Sequence, residues 1–207
     1  NSATKNGLSD RVAPAMSILC NGGACGGWKT SSAVSVTGAD GGSGMASVTY
    51  NIDAAANVVT NAATASFNPT DGTHTINYFG ADVAGNVQGT AAQTVKIDTV
   101  APTAATAVTG APGQQNGQID LTWTKGTDAT SGVSGYTIHG TNPLGAAACP
   151  ATLDLTNYPV ATAVVGNVAA KTLTLVTGKS YCFYLTTTDV AGNTSGASNR
   201  TAKVTAN

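Results

Sequence analysis

The residues in this sequence most suited to chemistry are aspartates that stand in repeated motifs. Asp-Val-Ala-Gly-Asn occurs at residues 82–86 and again at residues 189–193. Asp40 and Asp128 form a second pair, each followed three positions later by Ser-Gly and an apolar residue. Because carboxylates and turn carbonyls are the oxygen ligands that calcium prefers, the candidate calcium ligands are Asp40, Asp82, Asp128 and Asp189.

The same aspartates have a second interpretation that needs no metal. An Asp side chain can accept hydrogen bonds from backbone amides shortly after it, and a glycine such as Gly85 or Gly192 allows the positive φ of a sharp turn. The sequence contains no Asp-x-Asp-x-Asp loop of the kind found in dedicated calcium sites. The sequence leaves both interpretations open.

The spacing of the motifs indicates that one unit is duplicated. Asp-x-Val-Ala-Pro begins at Asp10 and at Asp98, and this pair, like the pair that begins with Asp40, is separated by 88 residues (98 − 10 and 128 − 40). The two Asp-Val-Ala-Gly-Asn motifs are separated by 107 residues (189 − 82), so the second copy has 19 additional residues (107 − 88) between Gly132 and Asp189. A repeat at a fixed offset indicates a modular architecture.

We therefore predict two tandem domains of about 100 residues each. The first occupies residues 10–101 and the second residues 102–207, with an insertion at about residues 140–160. Pro102 fixes its own backbone and favours an extended residue before it, which predicts a short, stiff connection. Residues 1–9 are polar, and they form either a linker from an upstream segment or an arm that adds a strand to a neighbouring subunit.

Composition restricts both the fold class and the partners. Charged residues make up 9% of the 207-residue chain and the net charge is −1, so we expect no nucleic-acid or acidic-lipid partner. All 10 acidic residues are Asp, which favours turns, as do the 25 glycines. No stretch reaches the ~18 apolar residues of a membrane span, so we expect no membrane insertion within this chain.

Short alternating runs of apolar residues predict an all-β chain. Val34 and Val36 alternate with polar residues, as do His74, Ile76 and Tyr78. Runs of the same kind lie at residues 48–52, 95–97, 119–123, 136–138, 173–175, 181–185 and near Val204. A period of two bounded by turn residues is typical of strands, and no segment sustains a period of 3.6. The predicted fold class is two tandem antiparallel β-sandwiches of about seven strands each.

The four cysteines fall as one pair in each predicted domain. An even count distributed in this way predicts two disulfides, Cys20–Cys25 and Cys149–Cys182, and an oxidising compartment. Because Cys182 alternates with the flanking aromatic residues, its side chain should face away from the core and towards the insertion. The alternative, a zinc site, would require thiols from two separate domains to converge.

The second domain resembles fibronectin type III domains. The resemblance rests on Trp123, Tyr136 and a Leu-x-x-Gly-x-x-Tyr run that ends at Tyr181, and it implies that the Tyr181 hydroxyl bonds to the backbone of the preceding loop. The first domain resembles the Ig-like modules of bacterial surface and secreted proteins, on the basis of residues 72–78 running into residues 82–86. His74 occupies the position in the first repeat that Tyr181 occupies in the second, which predicts the same tether made by a ring nitrogen.

The sequence offers little for catalysis. His74 and His139 are its two histidines, and each lies on a predicted strand with no partner nearby in the sequence. Paired-carboxylate chemistry would depend on Asp alone, and no Gly-x-Ser-x-Gly motif is present. We therefore expect no enzyme activity. Four aromatic residues are candidates for an exposed carbohydrate platform, although the strand pattern assigns most of them to the core: Trp28, Phe79, Tyr158 and Tyr184.

These observations predict a non-catalytic extracellular module, a spacer or stalk within a bacterial surface or envelope protein. We expect no cofactor unless calcium binds. The expected partners are other domains of the same protein or neighbouring subunits, with a surface glycan or a protein receptor as further candidates. Two other functions fit the same fold, a subunit of a self-assembling extracellular filament and an accessory substrate-binding module of a secreted hydrolase.

Overall fold

The computed structural model describes residues 9–207, with every side chain in that range except that of Val165, and these residues form strands, turns and loops but no helix. The polypeptide divides into two compact units, of which the first ends at Thr99 and the second extends from Val100 to Asn207. Of the predicted arm or linker at residues 1–9, all but Ser9 lie outside the described residues.

Within the described residues, the first unit contains eight strands in two sheets. They are β1 (Ala15–Cys20), β2 (Trp28–Lys29), β3 (Val34–Ala39), β4 (Met45–Ile52), β5 (Val58–Thr60), β6 (Thr64–Phe67), β7 (Gly72–Asp82) and β8 (Ala91–Ile97). One sheet has the order β1-β3-β6 and the other the order β2-β8-β7-β4-β5. The pairing of β2 with β8 is parallel, and the other pairings are antiparallel.

Alternating side chains pack the two sheets of the first unit together. Val34 and Val36 on β3 and Ile76 and Tyr78 on β7 are buried, whereas the residues between them are more exposed. A strand of period two presents one face to the opposite sheet, which is how these residues reach a common core. The same core contains Val48, Ala65, Val95 and Ile97.

The first disulfide lies where the chain crosses from one sheet to the other. Cys20 ends β1 and bonds to Cys25, which precedes β2. Asn21 and Gly22 have positive φ values of 52° and 73°, and the Cys20 amide donates to the Gly23 carbonyl across this turn at 2.8 Å. The disulfide therefore closes the loop in which the chain leaves one sheet after β1 and enters the other sheet at β2.

The second unit also contains eight strands. They are β9 (Thr106–Pro112), β10 (Gln118–Thr124), β11 (Val133–Gly140), β12 (Val160–Val165), β13 (Ala170–Thr174), β14 (Ser180–Tyr181), β15 (Phe183–Asp189) and β16 (Val204–Thr205). They form antiparallel sheets of order β13-β10-β9, β12-β11-β15 and β14-β16.

The second unit has a hydrophobic core of its own. Trp123 on β10 and Tyr136 on β11 meet edge to face, with ring centroids 5.3 Å apart. Ile119 and Leu121 on β10 are fully buried beside them, as is Leu185 on β15. This cluster shares no residue with the core of the first unit. Two separate cores confirm the predicted class of two antiparallel β-sandwiches.

The insertion between β11 and β12, residues 141–159, covers the outer face of one sheet in the second unit. Tyr184 on β15 points away from the main core, and together with Cys182 and Tyr158 of the insertion it forms a second, smaller cluster. The Cys149–Cys182 disulfide attaches the insertion to this face. A sandwich face that would normally meet water is thus buried, and Cys182 is directed towards the insertion.

Side-chain hydroxyls close the edge of β15. Ser195, Ser198 and Thr201, which we call the hydroxyl ladder, lie in a segment without regular strand structure. Their hydroxyl oxygens accept hydrogen bonds from three alternate amides of β15 at 2.8, 2.8 and 3.0 Å. Their own amides donate to β15 carbonyls at 2.8 to 2.9 Å. The ladder therefore satisfies an edge that could otherwise pair with another chain.

Replacing Ser198 with Ala should destabilise the second unit by about 1–3 kcal/mol, because the amide of the fully buried Leu185 loses its acceptor. A loss of 1 kcal/mol corresponds to roughly 4–8 °C in Tm for a domain of this size, which calorimetry resolves. Thr152→Ala, at an exposed position of the insertion, is the control and should leave Tm nearly unchanged. Equal Tm values for the two variants would contradict this role of Ser198.

Candidate functional site

Three aspartates of the first unit converge at one end of β7. Asp82 is the last residue of β7, Asp40 follows β3, and Asp10 lies shortly before β1. One carboxylate oxygen from each lies within 4.8 Å of the other two. Asp82 is almost fully buried, whereas Asp10 and Asp40 are partly exposed. The structure thus brings together two of the predicted site residues and adds Asp10 to them.

Asp82 also shapes the turn that follows it. Its carboxylate accepts a hydrogen bond from the Asn86 backbone amide at 2.8 Å and another from Asn86 Nδ2 at 2.7 Å. Gly85 has a φ of 93°, which is a conformation that favours glycine. Asn86 Nδ2 also lies 3.3 Å from the carbonyl oxygen of Asp10. The repeated motif therefore connects the end of β7 to the segment that precedes β1.

Asp40 and Asp10 organise the loop that faces Asp82. Asp40 Oδ2 accepts the Gly44 amide at 2.6 Å. Asp10 accepts the Val12 amide at 3.1 Å and the Ser43 amide at 2.7 Å. These two amide bonds, with that from Val12 the stronger influence, hold the pKa of Asp10 below its usual value. Asp10 is consequently a carboxylate at neutral pH.

The corresponding aspartates of the second unit make the same kind of turn. Asp189 Oδ1 accepts the amides of Gly192 and Asn193 at 2.6 and 2.8 Å, and Asn193 Nδ2 donates to Asp189 Oδ2 at 2.8 Å. Asp128 Oδ1 accepts the three consecutive amides of residues 130–132 at 2.8 to 3.0 Å. The internal repeat therefore preserves geometry as well as sequence.

The two interpretations of these aspartates require different partners for the carboxylates. Amide hydrogen bonds account for the turns, because each of the four predicted site residues accepts at least one. Three carboxylates within 4.8 Å also present the oxygen atoms that a calcium ion would use. Calcium binding at Asp40, Asp82, Asp128 and Asp189 stays a prediction.

Replacing Asp82 with Ala should lower the Tm of the first unit in EDTA by an amount equivalent to about 1–3 kcal/mol, because two Asn86 donors lose their acceptor. The reciprocal variant Asp189→Ala should act on the transition of the second unit. Calorimetry in EDTA and in calcium separates the two roles. An unchanged Tm for Asp82→Ala in EDTA would contradict the turn role, whereas a calcium-induced rise in the wild type that this variant lacks would identify a cation site.

The two residues predicted to form structural corners both contact nearby backbone. Tyr181 Oη accepts a hydrogen bond from the Val176 amide at 3.2 Å. In the first unit, His74 Nε2 lies 2.9 Å from the Thr70 carbonyl oxygen, and Nδ1 lies 2.7 Å from a carboxylate oxygen of Asp53. Each contact joins a strand to the loop beside it, and the histidine has an acidic partner that its sequence neighbours do not reveal.

His139 and two of the candidate platform residues are buried together. His139 stacks on Tyr184 with ring centroids 4.5 Å apart, and burial lowers its pKa, so the ring is neutral at pH 7. Tyr158 is fully buried and Tyr184 is 4% exposed, so neither can contact a glycan, and of the two interpretations of these residues the core position is correct. The cause is the insertion, which covers this face of the sheet.

Several residues with structural roles carry no strong signal in the sequence. The hydroxyl ladder has a period of three, which matches neither a strand nor a helix. Asp53 follows β4 without a recognisable turn motif, yet its carboxylate contacts His74. Asp10 is different, because the sequence does mark it: it begins the first Asp-x-Val-Ala-Pro motif, and the offset of 88 residues identifies it as the counterpart of Asp98.

No known protein family and no curated protein matches the sequence. Similarity is found among solved structures. Domains from titin match 93% of this chain at 15% sequence identity with a TM-score of 0.56, and the match spans 66% of that titin chain. The chain has the fold of tandem Ig-like and fibronectin type III domains. The fibronectin(III)-like modules of CbhA from Clostridium thermocellum also match, at 12% identity and a TM-score of 0.46, over 92% of this chain and 94% of theirs.

The fold of these Ig-like and fibronectin type III-like domains is compatible with many functions, so the fold alone does not assign one. Within residues 9–207, no helix has the length and apolar character needed to cross a membrane.

Proposed function

We propose that these two domains act as a non-catalytic spacer or stalk in an extracellular or cell-surface protein. The observation that best supports this function is that each unit receives the chain at one end of its sandwich and releases it at the other. A module needs this arrangement to add length between its neighbours, because a module whose termini lie side by side adds little.

In the first unit, the chain enters beside the end of β7 and leaves beside its beginning. The Asp10 carbonyl accepts a hydrogen bond from Asn86, which follows Asp82 at the end of β7. Ile97 at the end of β8 pairs with Gly72 at the start of β7. β7 has 11 residues. At about 3.3 Å per residue, its two ends lie roughly 33 Å apart.

The second unit repeats this arrangement along β14 and β15. Its first residue, Val100, accepts a hydrogen bond from Asn193 Nδ2 at 3.4 Å, close to Asp189 at the end of β15. Its last strand, β16, pairs with β14 through Val204 and Tyr181. Tyr181 and Asp189 are eight positions apart (189 − 181). In extended chain this is roughly 26 Å.

The covalent structure and the surface chemistry support an extracellular location. Each unit contains a disulfide, and disulfides persist mainly in oxidising compartments. With only 9% charged residues, the chain can expose few ionised groups. The partners that we propose are other domains of the same protein or neighbouring subunits, and a surface glycan or a protein receptor would be a further partner.

The groups that usually perform catalysis are otherwise engaged in the described residues. All four cysteines are in disulfides. Both ring nitrogens of His74 face acceptors, and His139 is buried against Tyr184. His139 Nε2 lies 3.1 Å from the Thr186 hydroxyl, but His139 is only 8% exposed, so this pair has little access to a substrate, which supports a non-catalytic role.

Single-molecule force spectroscopy of the full chain, held at its two termini, tests the spacer function. We expect each unit to unfold in its own cooperative step and to refold when the force is released. Under oxidising conditions the Cys149–Cys182 bond prevents the segment between these two cysteines, which are 33 positions apart, from extending when the unit unfolds. Reduction should therefore lengthen the step of the second unit by roughly 110 Å.

The double variant Cys149→Ser/Cys182→Ser is the matched control, and it should show the longer step without reductant. Extension of either unit without a cooperative step would contradict a spacer that keeps its folded length under tension. A first unit that lengthens on reduction by as much as the second would contradict the Cys20–Cys25 pairing, because these two cysteines are separated by only five positions.

A further inference from the structure

Both ring nitrogens of His74 face atoms that accept hydrogen bonds. Nδ1 lies 2.7 Å from Asp53 Oδ2, and Nε2 lies 2.9 Å from the carbonyl oxygen of Thr70. A neutral imidazole has one N–H donor and can satisfy only one of these acceptors, whereas an imidazolium has two donors. The geometry therefore fits the charged form of His74, with both of its ring protons in hydrogen bonds.

Asp53 belongs to a turn whose backbone is strained. Asp53 and Ala54 have φ values of 52° and 59°, a region in which a residue with a Cβ atom is disfavoured. The turn joins β4 to β5 and is closed by a 3.0 Å hydrogen bond from the Ala55 amide. Such a conformation persists only when its surroundings hold it. Here the Asp53 carboxylate contributes, because Oδ1 accepts the Thr75 amide at 2.8 Å and Oδ2 bonds to the imidazole, in addition to the 2.9 Å hydrogen bond from the Asp53 amide to the Thr75 carbonyl.

Asp53 is the ionisable side chain that acts on His74. Burial lowers the pKa of His74, but the hydrogen bonds to Asp53 and to the Thr70 carbonyl, with the charge of Asp53, raise it above its ordinary value of about 6.5. The hydrogen bond from His74, followed by that from the Thr75 amide, lowers the pKa of Asp53. On the adjacent strand β8, the residue paired with His74 is Val95, which carries no charge.

We propose that the His74 imidazolium is a proton-operated latch that keeps the strained turn of Asp53 and Ala54 closed. Loss of one ring proton leaves one of the two acceptors without a donor and removes the positive charge beside the Asp53 carboxylate, so the turn opens more often. Because the folded-state pKa of His74 is raised, the stabilisation is complete below about pH 6.5 and is lost as the pH rises through the folded-state value. Because the pKa of Asp53 is lowered, the latch also fails when the pH falls through that lower value. The latch therefore holds between these two limits.

The latch acts at one edge of the five-stranded sheet of the first unit. β5 is the edge strand and pairs only with β4. Its Val58 and Val59 are 46% and 59% exposed, so little packing holds it in place. Opening of the turn loosens β5 and makes the edge of β4 accessible to a strand from another chain. The consequence is a pH-dependent sheet edge, which goes beyond the spacer function and does not depend on it.

A pH titration of the full chain, labelled with ¹⁵N at histidine and followed by NMR, tests the charge of His74. We expect both of its ring nitrogens to show the imidazolium signature at pH 6 and to titrate with a midpoint above 6.5. His139, whose pKa burial lowers, should titrate below 6.5 in the same spectra. Asp53→Asn should lower the His74 midpoint and leave that of His139 in place. A His74 midpoint at or below 6.5, or one that Asp53→Asn does not move, would overturn the proposal.

Amide hydrogen exchange tests the latch itself. After correction for the intrinsic pH dependence of exchange, protection of the Ala55 and Thr75 amides should fall as the pH rises through the His74 midpoint. The expected loss is tenfold for each pH unit by which that midpoint exceeds about 6.5. Ala54→Gly relieves the strain at one of the two positive-φ residues without touching His74, so it should keep the midpoint and show higher protection. Constant protection in the wild type, or no gain in Ala54→Gly, would show that no latch exists.

Discussion

The backbone amides at the edges of the sheets impose the constraint on which the rest of this structure depends. A buried amide without an acceptor costs about 1–3 kcal/mol, and an unpaired edge invites another strand. The chain meets this demand with neutral side chains. The hydroxyl ladder runs along β15, and on β9 the side chain of Asn199 accepts the Val108 amide at 3.0 Å and donates to the Val108 carbonyl at 3.1 Å. Side chains thus take the place of missing strands.

The backbone amides of the turns between the strands also need acceptors, and there the acceptors are the carboxylates of the chain's few charged residues. Asp128 accepts three consecutive amides with one carboxylate oxygen, and Asp189 accepts two. A carboxylate has the acceptor capacity for several such bonds, which explains the presence of Asp at strand ends in a chain with few charged residues. The His74–Asp53 pair extends this use, because there a carboxylate accepts the Thr75 amide and also lies 2.7 Å from an imidazole nitrogen.

The sequence predicts the strands whose two faces differ in polarity. β3, β7 and β10 alternate between apolar and polar residues, and the structure confirms their place in the two sandwiches. It does not predict β6 or β9, because Ala, Ser, Thr and Gly show no contrast between faces. The occurrence of two cysteines in each predicted domain indicates the two disulfides. The burial of Tyr158 and Tyr184, the hydroxyl ladder and the contact of Asp53 with His74 depend on chain segments that meet only after folding, so local patterns do not contain them.

The passage of the chain from one end of each sandwich to the other has a consequence for how such a protein can evolve. A unit whose chain enters at one end and leaves at the other can be duplicated in frame, because the copy begins where the original ends. Each copy then keeps a core of its own. The 88-residue offset between the motifs at Asp10 and Asp98 records one such duplication. The 19 additional residues of the second copy show that the copies diverged in a loop outside the sandwich. Recombination between such repeats can therefore add or remove whole domains without disturbing the cores of the others.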